Sequence, residues 1–142
     1  AYRAMAIWCD AQDYNGFAKF FFRQAAEELE HADKFIRHLL DRGVLAKLGA
    51  IEAPATEFGK LIEVANLART LEQRNSANIH QCYDIAVEVK DYPSHPMLLE
   101  LIEEQVEEES WADTMVTLTA RAECSGATYN LDRHIVKELG AE

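Results

Sequence analysis

The chain is 142 residues long, 49% apolar and carries a net charge of −11, which suits one globular domain over residues 1–142 with a core of its own. No apolar run approaches the roughly 20 residues of a membrane span and no signal peptide opens the chain, so a cytoplasmic protein is expected. The acidic balance argues against nucleic acid or an anionic membrane as partner and fits a protein that collects cations.

Residues 1 to 12 are helical in character, yet no capping residue precedes them, so the first helix is expected to be truncated at its N-terminus. Asp13-Tyr14-Asn15-Gly16 signals a turn. A second helix is predicted from Gly16 to Arg42, closed by Gly43. At about 100° per residue, Phe17, Phe20, Gln24, Glu27, Glu28 and Phe35 fall within roughly 60° of the line through His31. Two carboxylates and an imidazole therefore share the face that should be core. Phe22 points the opposite way, as a subunit contact would require.

Residues 43–56 contain Gly and Pro without sustained period, and are long enough to travel the length of a helical bundle. A third helix is predicted from Glu57 to Lys90, with Leu61, Ala65, Ala68, Ile79 and Tyr83 on one stripe and Glu72 at its centre. After a turn at 91–96, a fourth runs from Pro96 to Cys124 and turns Leu98, Leu101, Ile102, Gln105, Ala112 and Val116 inward. Ser125-Gly126 reads as its stop, and a brief fifth helix spans Asn130 to Leu139. Cys9, Cys82 and Cys124 are odd in number and lack Cys-x-x-Cys spacing, which disfavours a disulfide framework or a zinc knuckle.

Glu28 and His31 are three apart, the Glu-x-x-His arrangement that di-metal carboxylate bundles use. Taken singly the motif is short, and a solvated glutamate beside an ordinary core histidine explains it as well. The agreement of three helices weighs against that explanation. Glu27, Glu28 and His31, then Glu72, then Glu104, Gln105, Glu107 and Glu108 all fall near a helix midpoint on a stripe that should be apolar. Burying unpaired carboxylates costs several kcal/mol each, a cost that a cation offsets. Oxygen-rich ligation with one imidazole and no thiolate suits iron or manganese better than structural zinc.

On these residues the chain resembles a non-haem, bacterial-type ferritin subunit, one branch of the ferritin-like di-iron carboxylate proteins. The family's second-helix motif stands here as Glu28-Leu29-Glu30-His31 and its fourth-helix run as Glu104-Gln105-Val106-Glu107-Glu108. The resemblance implies an all-α, ferritin-like four-helix bundle with a long crossover between the second and third helices and a short fifth helix. It also implies a di-iron centre: Glu28 and His31 hold one iron, and Glu72 bridges and holds the second with Gln105 or Glu108 near it. Glu27, Glu104, Glu107 and Glu108 match a third iron site, and Tyr2 and Trp8 match the aromatic pair beside the metals. The family's remaining ligand, a Glu seven residues before that Tyr, falls upstream of residue 1.

Leu29 occupies the position of the haem-binding Met of bacterioferritins, so haem is not expected. His95 and Leu98 stand where animal ferritins place acidic pore residues. The implied function is Fe(II) oxidation by dioxygen or hydrogen peroxide, with Fe(III) stored as mineral inside a homo-oligomeric cage of 24 subunits. Two other readings compete. One is a non-storage di-iron oxidase or peroxide scavenger of the rubrerythrin kind; the other is an acidic helical interaction module whose inward polar groups only hydrogen-bond. Of the other histidines, His38 is expected in the core and His134 at the surface.

Overall fold

The computed structural model describes residues 1–140. It is built from helices α1 (Tyr2–Ala11), α2 (Asn15–Asp41), α3 (Leu61–Glu88), α4 (His95–Arg121) and α5 (Ser125–Glu138), with a 3-10 turn at Tyr92–Ser94 before α4 and no strand among the described residues. No helix among them is long and apolar enough to cross a membrane. The chain forms two compact units, Ala1–Phe58 and Gly59–Glu142.

In the first unit a tight turn containing Asp13 at φ 60° folds α1 back onto α2. Phe17, Phe20, Phe21 and Gln24 recur at helical spacing and are buried with Met5 and Cys9 of α1. Tyr2 stacks on Phe21 with centroids 5.9 Å apart, and Phe20 meets Phe21 edge-on at 5.6 Å. Each fully buried aromatic contributes about 1.5–3 kcal/mol. The buried residues of α2 all precede Glu27. His38, predicted for the core, is instead half-buried in the last turns and hydrogen-bonds Arg42 at 3.2 Å. Phe22 faces outward, as its position on the helix predicts.

Gly43, at φ 72°, ends α2 in the left-handed region that glycine enters without steric cost. From Val44 to Phe58 the chain has no regular secondary structure. Phe58 then packs edge-on against Trp8 at 5.6 Å, and Trp8 lies 6.2 Å from Tyr14, which caps the N-terminal end of α2. The connection therefore returns along the whole of α2. A helix of 27 residues is about 40 Å long, and about 16 extended residues reach roughly 53–58 Å. Along the way Leu48 is 85% and Ile51 96% exposed.

In the second unit α3 packs against α4, and α5 packs on α4. Val64, Ala65, Ala68, Glu72 and Ser76 form the buried stripe of α3, and Leu98, Leu101, Gln105, Ala112 and Met115 that of α4. The His95 ring fills the α3–α4 turn, 5.3 Å from Tyr83 and 5.6 Å from Tyr92.

Three boundaries depart from those predicted. Helix α3 starts at Leu61 rather than Glu57, because the Glu63 carboxylate accepts the Gly59 backbone N–H at 2.9 Å and closes the first turn from inside the helix. Helix α4 ends at Arg121, before Cys124. Helix α5 starts at Ser125 rather than Asn130: Cys124 is extended as its N-cap, and Ser125-Gly126 opens the new helix instead of ending the old one.

Candidate metal centre

In the first unit, Glu28 and His31 stand one turn apart on α2 and both are half-buried. Burial raises the Glu28 carboxyl above its ordinary value; the His31 charge opposes that shift and the Glu27 charge adds to it. Glu27 is held by its own helix, 3.5 Å from Arg23 Nε and accepting a 2.6 Å hydrogen bond from Gln24 Nε2. Tyr2 is buried on Phe21.

In the second unit, Glu72 is 0% exposed and Gln105 5% exposed. Gln105 Nε2 donates to Glu72 Oε2 at 3.3 Å, to the Glu72 carbonyl at 3.2 Å and to Ser76 Oγ at 3.1 Å. Ser76 Oγ in turn donates to Glu109 Oε1. Asn75 Nδ2 reaches Glu72 Oε2 at 3.4 Å. Burial raises the Glu72 carboxyl; hydrogen bonds from Gln105 and Asn75 lower it, and the Glu109 charge raises it again. Glu108 accepts a 2.6 Å bond from Trp111 Nε1, Glu104 is half-buried, and Glu107 is exposed.

The structure thus brings Glu28 beside His31, and Glu72 beside Gln105. Among the described residues, no group of three or more His, Cys, Asp or Glu side chains is gathered closely enough to hold a metal ion. Ser76 and Glu109 belong to the Glu72 network but were not picked out from sequence. The signal was present in their spacing: each lies four residues after its neighbour in the network, Glu72 or Gln105, on the same helix stripe.

Because both carboxyls have folded-state values above 4.5, the folded chain binds these protons more tightly than the unfolded chain. Their protonated forms stabilise the metal-free fold fully below about pH 4.5, and that contribution is lost as pH rises through the folded values. The isosteric Glu72→Gln variant lacks the Glu72 share of the loss. Its melting temperature, measured metal-free against the parent, is expected to gain on the parent as pH is raised from about 4.5 to 7.5; a constant difference would show that Glu72 is not under this strain.

Paired carboxylate, imidazole and carboxamide groups on long helices define a class of all-α carboxylate proteins, and the fold is that of known ferritins. An open-pore ferritin from the hyperthermophilic archaeon Archaeoglobus fulgidus superimposes with a TM-score of 0.90 at 30% identity, covering 94% of this chain and 83% of that one. Residues 1–122 match the family described as Ferritin-like domain. A bacterial non-heme ferritin from Staphylococcus aureus (strain USA300) is 38% identical over 142 residues, 99% of this chain and 83% of its own length. One from Staphylococcus haemolyticus (strain JCSC1435) is 39% identical over 116 residues, 82% of this chain and 70% of its own length. The chain belongs to the ferritin family of iron-storage proteins.

Proposed function

We propose that this chain is a ferritin subunit with ferroxidase activity. It oxidises Fe(II) to Fe(III) and stores the product as mineral inside a cytoplasmic cage of 24 copies, without haem. Fe(II) is the substrate, and each pair of Fe(II) ions supplies two electrons to dioxygen or hydrogen peroxide. Glu28 and His31 bind one Fe(II), and Glu72 with Gln105 binds the second. Tyr2 and Glu108 stand beside the reacting ions, and Glu27, Glu104, Glu107 and Glu108 serve a third iron on its way to the mineral.

The observation that carries this reading is the Glu72 carboxylate, fully buried on the interior stripe of α3 and relieved only in part by two carboxamide donors. Ionised there it is costly, and a divalent cation is the partner that removes the cost. Hard oxygen donors with one imidazole suit Fe(II). The assembly is supported by the apolar side chains the single chain leaves in water, among them Phe22, Leu29, Leu48 and Ile51.

Aerobic addition of Fe(II) to the purified protein tests the activity, and its mass tests the storage. A ferroxidase gives Fe(III) absorbance far faster than buffer does, and a cage of twenty-four 16.1 kDa chains elutes at about 390 kDa and retains many irons per chain. Oxidation at the buffer rate would refute the reading. Fast oxidation by a small oligomer with a low, fixed iron content would transfer the chain to the rubrerythrin-like alternative.

A further inference from the structure

A carboxamide offers two ends of nearly equal size and opposite hydrogen-bonding character, and its neighbours decide which end faces where. Gln105 faces three groups across the α3–α4 contact. The Glu72 carbonyl and the Glu72 carboxylate can only accept. Ser76 Oγ can do either, because a hydroxyl carries one hydrogen and two lone pairs. Its single hydrogen is directed at the Glu109 carboxylate, itself acceptor-only when ionised, so Ser76 turns a lone pair toward Gln105.

The polarity therefore runs one way, from Gln105 to Ser76 to Glu109. With Glu109 in place, every group on this side of Gln105 is an acceptor. A turned amide would set its oxygen against all three.

We propose that Ser76 and Glu109 are positioning residues that hold Gln105 Nε2 in the α3–α4 network and so reserve Gln105 Oε1 for Fe(II). The inference rests on the ferroxidase reading above, and it explains why a neutral amide at this position can serve a hard cation. Carbonyl oxygen is a suitable donor for such an ion, whereas the amide –NH2 is not. Neither Ser76 nor Glu109 touches the metal; both act through Gln105.

Anaerobic titration of the assembled protein with Fe(II), followed by calorimetry, tests this. The parent is expected to bind two Fe(II) per chain in resolvable steps. Ser76→Ala removes the relay, and Glu109→Gln replaces an acceptor-only group with one that can also donate, freeing the Ser76 hydrogen to turn toward Gln105. Each is expected to weaken one step about tenfold, the size typical of groups that orient a metal ligand, and to leave the other within about twofold. Ser76→Thr keeps the hydroxyl and should restore the weakened step.

If the parent binds two Fe(II) and neither Ser76→Ala nor Glu109→Gln changes either step, the relay has no positioning role and the inference falls while the ferroxidase reading stands. Equal weakening of both steps, or failure of Ser76→Thr to restore binding, would also overturn it by showing a general packing effect. A parent that binds no Fe(II) removes the ferroxidase reading itself.

Discussion

Replacing Glu72 by alanine is expected to slow Fe(II) oxidation about 100-fold or more, a loss at or above the upper end of what removal of an outer-shell group causes. Two-electron chemistry needs both metals present together. On the proposed assignment, removing the carboxylate buried on the interior stripe of α3 empties one position and leaves the other Fe(II) without a partner to oxidise with it. Glu28→Ala acts on the other position and should produce a similar loss. Stopped-flow absorbance of Fe(III) at equal protein concentration measures both. Helix content and assembly are expected to persist, because the cost of burying the Glu72 charge disappears with the side chain. Rates equal to the parent's in either variant would remove that residue from the site.

Phe21→Ala is expected to cost about 3–5 kcal/mol of stability, the range for truncating a fully buried aromatic. Phe21 has 0% exposure, stacks on Tyr2 and meets Phe20 edge-on. Its loss opens a void beside the Tyr2 ring that stacks on it. Urea unfolding of parent and variant gives the difference directly, and near-ultraviolet circular dichroism reports the loss of ordered aromatic packing. A cost below about 1 kcal/mol would mean that the aromatic cluster repacks around the gap.

Much of this was legible in the sequence because helical periodicity reports which residues share a face. Gln105 and Glu72 were placed inward by their position on apolar stripes, and both are buried. Periodicity does not report where a stripe ceases to be covered. His38 lies on the His31 face of α2, yet the buried part of that helix ends at Gln24, and the prediction for His38 failed on that account.

The starts of α3 and α5 were missed for a different reason. Glu63 closes α3 by reaching back to a backbone N–H outside the helix, and Cys124 opens α5 by its extended backbone, and neither carries the Ser, Thr, Asp or Asn cap that a sequence search relies on. Ser76 escaped notice because a small neutral residue on a helix has no chemical signature by itself. Glu109 escaped because it lies one residue beyond the Glu104–Glu108 run that carries the family resemblance.

The meeting of Trp8 with Phe58 has a kinetic consequence. Contacts within α1–α2, such as Tyr2 with Phe21, join residues about twenty apart, and such local pairings form quickly. The ring contact closes a loop of about fifty residues and bears a larger entropy of closure, so within this unit it is expected to follow the α1–α2 pairing. The α1–α2 pair can thus set the Glu28–His31 helix in place before the strap from Val44 to Phe58 is fastened onto Trp8.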